Sequence, residues 1–556
     1  MHLRQAQSLY KTFFSRHISS LPKLAKIPSR YRPQAIQQAQ QIITDYLHST
    51  RSLPYTYAEH IGKNSLYSVS NLIAKLDFAA PSFATSLRKF LRYHPINEFE
   101  FFLESIGIDH DEVSIFLPSN KFFFSEDRTM LNVACVLNSF GFPWNKLGKL
   151  YKEEISIFRK SSEDITSRLS ACKNRGFNNI MVTGISLAFP RLLGGDGDEI
   201  DSLLDHLKRV FVDCDLASCV DSNVNVWYEI CRKIRVFYNL GCEKGEIGDL
   251  MGKSKDRFLK YPEDVLVQKV EYFCRFGVKK ENVGLLLLQS PEILSFDLET
   301  PVISIMGILK HFGLNDEELK PVAQNYPYIF GRNKMVNLPH SMRALNLHQW
   351  FFDRIKNGNH NLLANYALDD PDEDIDKEFK ESLNKIQSSR TPFYTMNKLN
   401  FLHGIGFGQN ILTIKVLEHM HGTSSELQDR FDCLLGTGIK FSKLCMIIRL
   451  APKIMNQKPE TLEQKVNFLC QEMDASLDYL NVFPAFLCFD LDNRIKPRYR
   501  FHKWLTENGL CAREYSIASI VATSEKNFVA RLHGIHPAAP KHWFECFLDR
   551  KPNRSH

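Results

Sequence analysis

The sequence is poor in the residues that punctuate turn-dense folds. Its 556 residues include 27 glycines and 24 prolines, together about 9% against the roughly 12% of an average chain. That disfavours collagen-like, linker-rich and turn-dense all-β architectures. Long apolar runs are missing as well. Gly284–Leu288 and Leu444–Ile448 are the longest candidates, far short of the roughly 18 residues that cross a bilayer. The 13 cysteines form no C-x-x-C, and the closest pair, Cys214 and Cys219, has no histidines at zinc-finger spacing. This is the usage of a reducing compartment, with neither a disulfide framework nor a zinc site. His533, His536, His542 and Cys546 are the one His/Cys grouping, and they read as ordinary residues of a C-terminal tail. There is no Walker motif, Gly-rich phosphate loop, H-E-x-x-H or G-x-S-x-G, so the chain is expected to be no enzyme and to need no cofactor or metal. With 44% hydrophobic and 24% charged residues, general disorder is excluded too.

One sign of charge is absent from the start of the chain. Residues 1–44 contain no Asp or Glu but carry Arg4, Lys11, Arg16, Lys23, Lys26, Arg30 and Arg32. These seven bases account for the whole formal net charge of +7, and residues 45–556 balance at 63 of each sign. Acid-free, basic, Ser-bearing and amphipathic, residues 1–44 are expected to be a transit peptide and flexible arm. The mitochondrial matrix is favoured over the chloroplast because Arg and Lys outweigh Ser and Thr. A continuous apolar h-region, which a secretory signal requires, is missing.

What is present is helical periodicity with regular punctuation. Gly176, Gly277, Gly313 and Gly438 are each followed 14 residues later by a proline: Pro190, Pro291, Pro327 and Pro452. Counting Gly248/Pro262 and Gly307/Pro321, which fall outside the common frame, gives six such pairs against about 1.2 expected by chance. Glycine ends a helix in the left-handed conformation, and the residue before proline leaves α geometry. Each pair therefore brackets a second helix of about ten residues, and the proline opens a short third one. Leu103–Gly107, Leu137–Gly141 and Leu402–Gly406 keep only the first half; Ile155 and Met420 stand where proline would fall. The expected fold is all-α, an α-solenoid of degenerate repeats of roughly 30–36 residues with three helices each.

Phe468–Tyr499 reads FLCQEMDASLDYLNVFPAFLCFDLDNRIKPRY. Together with the Leu-x-x-x-Gly … Pro repeats, it resembles the mitochondrial transcription termination factor (mTERF) family, in its expanded plant-type organellar branch. Pro484-Ala485-Phe486-Leu487, Leu491 and Arg494-Ile495-Lys496-Pro497-Arg498-Tyr499 are similar to that family's terminal signature. Asp490 and Asp492 depart from it, standing where the family usually has Ser and Glu. The resemblance covers roughly residues 87–510 and implies a superhelix with a positive face that binds organellar DNA or RNA. The organisation expected is a helical segment over 45–86, repeats over 87–327, an acidic insertion over 328–398, repeats with the signature over 399–510 and a tail over 511–556. The insertion holds Asp369, Asp370, Asp372, Glu373, Asp374, Asp376, Glu378 and Glu381, a solvated linker or a docking segment for a protein partner.

Bases recur where such a face would need them. Arg494, Lys496, Arg498, Arg500 and Lys503 lie in an acid-free run with Tyr499 and Phe501 available to stack. Lys253, Lys255 and Arg257 belong to a second basic stretch, 231–260, and Lys440 and Lys443 follow Gly438 as Lys279 and Lys280 follow Gly277. These are the candidate nucleic-acid contacts. A monomer that binds organellar double-stranded DNA to control transcription termination is the leading expectation. The alternatives are an RNA-binding factor for splicing or ribosomal RNA maturation, and a protein scaffold without nucleic acid.

Overall fold

The computed structural model describes residues 24, 27–77, 81–195, 198–220, 223–242, 245–298, 302–334, 337–358, 360, 363, 375–511 and 515–545, apart from the side chains of 198, 199, 219 and 255–258. The chain divides into two compact units, residues 1–263 and 264–556. Both are built from helices; among the described residues the only strands are Val302–Ser304 and Arg332–Lys334, paired antiparallel with Ile303 opposite Asn333. No described helix is long and apolar enough to cross a membrane.

The repeat unit is set by residues with positive φ. Gly107, Gly141, Gly176, Gly277, Gly313, Gly406 and Gly438 all adopt it, at φ between 80° and 128°. After Gly176, Gly277 and Gly438 run the helices Asn179–Ala188, Lys280–Gln289 and Phe441–Leu450. Pro190, Pro291 and Pro452 then introduce the short helical turns Arg191–Gly194, Pro291–Ser295 and Pro452–Asn456. The degenerate copies keep the geometry without the residue. A 3-10 turn, Ile155–Arg159, begins at Ile155, where proline is lacking. Asp215, Asn346 and Asp474 hold φ of 51°, 63° and 51° in the place of glycine, a conformation that Asn and Asp tolerate better than other side chains.

Three expected boundaries shift. The helix Arg32–Asp45 lies inside the anticipated transit segment, yet Ala35, Ala39, Ile42 and Ile43 on it are buried. Leu24 and Ile27 are buried as well, so the anticipated boundary at residue 44 cuts through packed structure; residues 1–23 are outside the described ones. The expected insertion, 328–398, is not one unstructured stretch: it contains the helices Leu338–Ala344, His348–Asn357, Lys377–Gln387 and the start of Pro392–Gly404. With Gly331, which precedes the strand Arg332–Lys334, left outside the frame, positive-φ residues are 36 apart from Gly277 to Gly313, 33 to Asn346 and 60 to Gly406, so the extra length is about 25 residues, near 358–376. Asp369, Asp370, Asp372, Glu373 and Asp374 lie outside the described residues. Asp376 caps the next helix by accepting from the Phe379 amide at 3.1 Å.

The anticipated tail is folded over the described residues 515–545. Helices Ile517–Ala522, Glu525–Ile535 and Ala539–Trp543 bury Ile520, Phe528, Leu532 and Trp543 against Phe501 and Leu505. A solenoid needs such a cap because its last repeat otherwise leaves an apolar face in water. His542 packs 4.6 Å from the Trp504 ring centroid, and Cys546 is outside the described residues. No group of three or more metal-capable side chains occurs among the described residues.

Candidate nucleic-acid interface

Apart from Arg494, which lies in the π-type turn Leu491–Ile495, the signature bases fall on the helix Lys496–Glu507; Asp490 caps the turn by accepting from the Asn493 amide at 2.6 Å. Pro497 stands in the first turn of the helix, where its missing N–H costs nothing. The 3.6-residue period divides the helix into two faces. Arg498, Phe501 and Leu505 are buried. Lys496, Arg500 and Lys503, separated by four and three residues, form the opposite stripe. Arg500 and Lys503 are exposed and have no ion pair among the described residues, whereas Lys496 donates to Asp492 at 2.6 Å.

This division corrects part of the expected site. Arg498 is 2% exposed. It donates to the Thr523 carbonyl and to Glu525 Oε2, both at 2.6 Å, and its guanidinium stacks 4.6 Å from the Phe528 ring centroid. Arg494 donates to the carbonyls of Val521 at 2.9 Å and Thr523 at 2.8 Å, and lies over Phe489. Burial, and then the adjacent Arg498, push the Arg494 pKa down. Two arginines on the orphan carbonyls ending the helix Ile517–Ala522 act as its C-terminal cap. They hold the C-terminal helices and are not placed to meet phosphate. The expected stacking residues are also engaged: Phe501 is fully buried, and the Tyr499 hydroxyl donates to the Glu472 carbonyl at 3.1 Å.

The other bases divide similarly. Lys440 is exposed at the start of Phe441–Leu450, while Lys443 pairs with Asp478. That hydrogen bond holds the Asp478 carboxyl below the usual carboxylate range. Both lysines line an open groove of about 320 Å³ with Gly438, Ser476 and Asn481. Lys253 is exposed on Glu246–Lys260, a helix broken at Ser254 (φ −142°, ψ 34°); the side chains of Lys255 and Arg257 lie outside the described residues. Within the same stretch Lys233 is buried and donates to the Leu259 carbonyl at 3.4 Å, and Arg235 pairs with Glu153 at 2.7 Å. Of the candidate bases, Arg500, Lys503, Lys440, Lys253, Lys279 and Lys280 are exposed and have no ion pair among the described residues.

Comparison with known proteins identifies the family. The mTERF family model matches residues 135–347 and 386–529. The break between those segments contains the extra residues located above, and the second segment runs into the C-terminal helices. An Arabidopsis thaliana protein named "Transcription termination factor MTEF18, mitochondrial" is 59% identical over 532 residues, 95% of each chain. Another from that organism, "Transcription termination factor MTERF8, chloroplastic", is 22% identical over 372 residues, 61% of this chain and 71% of its own. With a family match over most of its length, and so close a mitochondrial relative, the chain belongs to the mTERF family as a plant-type mitochondrial member.

Proposed function

We propose that this protein binds double-stranded mitochondrial DNA and, held there, controls transcription termination. Its place in organellar gene expression follows from the family; the duplex and the termination step are the proposal. The observation that carries it is the outward stripe of Lys496–Glu507. Arg500 and Lys503 there are exposed and unpaired although a whole folded cap is built on the helix's other side. Lys440 and Lys253 supply further phosphate contacts, with Lys496 and Lys443 available on release of Asp492 and Asp478. Phosphate contacts give affinity and register, and a bound protein then obstructs the advancing polymerase.

The mature protein's binding to mitochondrial duplexes between 50 and 200 mM salt tests this. Affinity is expected to fall linearly on logarithmic axes, and Arg500→Gln/Lys503→Gln is expected to lower the slope by about 1.8, or roughly 0.9 per lost contact. Binding to structured RNA alone would replace the duplex with RNA. Binding to neither would overturn the reading in favour of a protein scaffold.

A further inference from the structure

The unit 1–263 gathers bases that lie far apart in sequence. Lys146 ends the turn Trp144–Lys146, Lys149 belongs to the helix Leu147–Glu153, and Arg232 comes from Val224–Asn239. All three converge on one ring: Lys146 Nζ, Lys149 Nζ and Arg232 Cζ lie 5.3, 4.9 and 5.5 Å from the Tyr228 centroid. Two glycines place the helices that carry them. A Cβ on Gly148 would lie 2.8 Å from the Gly107 carbonyl carbon, and one on Gly184 would lie 2.5 Å from Trp227 Cβ. The first helix is thereby seated on the Ile106–Gly107 turn, and Asn179–Ala188 holds Val224–Asn239 at backbone contact.

The charge around this ring is lopsided. Arg232 pairs with Glu263 at 2.6 Å, and Lys146 donates to the Asn225 side chain. Neither Lys146 nor Lys149 has an acidic partner among the described residues. The nearby acids are engaged elsewhere: Glu229 faces Lys233 at 3.5 Å and Glu153 faces Arg235 at 2.7 Å. Burial, and then Lys149, push Lys146 below the ordinary lysine range. A ring quadrupole attracts cations but carries no net charge, and Glu263 answers Arg232 alone, so the two lysines repel one another until an anion enters.

We propose that Lys146, Lys149 and Arg232 around Tyr228 form a phosphate-contact site of this unit, taking the sugar–phosphate backbone of the bound nucleic acid. The proposal rests on the nucleic-acid reading above and adds a site to it. Cationic centres within 5.5 Å of one point suit a strand whose phosphates advance about 3.4 Å each along the helix axis. An acidic peptide fits less well, because docking of peptides relies on apolar anchors. None of the exposed large apolar side chains belongs to either lysine-bearing or arginine-bearing helix.

The test uses the full chain with duplex DNA and structured RNA. Lys149 is exposed, so Lys149→Gln changes charge without disturbing the fold, as its melting curve will record. It is expected to lower the salt slope on duplex by about 0.9, and Lys146→Gln/Lys149→Gln by about 1.8. Bound nucleic acid is also expected to protect Lys149 from an amine-acylating reagent. Unchanged slopes and an unprotected Lys149, in a protein that binds and whose Arg500→Gln/Lys503→Gln variant does lose slope, would overturn this site alone. Absence of any nucleic-acid binding by the unaltered chain would overturn both readings. Protection of Lys149 by polyglutamate but not by nucleic acid would reassign the cluster to a protein.

Discussion

At the scale of single residues, neighbours in one basic run have opposite fates. Arg498 and Arg500 are two positions apart, yet one is buried on carbonyls and Glu525 while the other is in water. Their substitutions should separate accordingly. Arg498→Met leaves helix-terminal carbonyls and Glu525 without their donor. We expect a loss of about 2–3 kcal/mol in urea unfolding, less than for a fully buried pair because Glu525 is half exposed. Its folded fraction should keep the salt slope of the unaltered protein. Arg500→Gln should change stability by no more than about 0.5 kcal/mol and act only on binding. The sequence shows five bases and a helical period. Which side of that period faces inward depends on the helices after residue 515, and nothing local to 494–503 announces them.

At the scale of elements, the Gly-to-Pro interval was legible because it follows from backbone sterics. Glycine enters the left-handed region because it has no Cβ, and α geometry is disfavoured for the residue before proline. Gly406 shows the demand: φ is +103°, and a Cβ would lie 2.9 Å from the His340 carbonyl oxygen. Gly406→Ala is expected to cost more than about 2 kcal/mol, from left-handed strain plus displaced backbone, measurable as a lower midpoint in denaturant. Asp474 was legible by its spacing, 36 residues after Gly438 as Gly313 is after Gly277. Asn346 was not, since this side chain has many other uses, and only its φ of 63° reveals the role. The same blind spot made the insertion look longer than it is and hid the C-terminal helices, which lack the glycine–proline interval.

At the scale of the whole molecule, stability should depend on pH through histidines buried without charge. His340 and His403, in the unit 264–556, are both pushed down to about 4, chiefly by burial. The unfolded chain binds their protons near pH 6.5 while the folded chain does not, so their contribution is complete above about 6.5 and is lost as pH falls toward 4. Between pH 7.5 and 5 the loss should be about 2 kcal/mol per histidine, seen in urea unfolding and flattened by His403→Leu. Truncation after Leu510 should expose Phe501 and Leu505, which the C-terminal helices cover. The expected result is binding of a hydrophobic dye and a less cooperative melt; an unchanged melt would show that the cap is dispensable.

The sequence by itself determined the helical class, the repeat interval, the family and the compartment. Each of these is written in local terms: backbone sterics at glycine and proline, periodic apolar residues, and an acid-free first 44 residues. The tertiary structure alone decided which cations are free. A guanidinium's partners come from other elements, as the carbonyls of 521–523 do for Arg494 and Arg498. So does the company of Tyr228, where bases about 80 residues apart are brought to one ring by two glycines that allow their helices to touch. Chain-local rules specify where a helix begins and ends; the direction its charged face points is a property of what packs behind it.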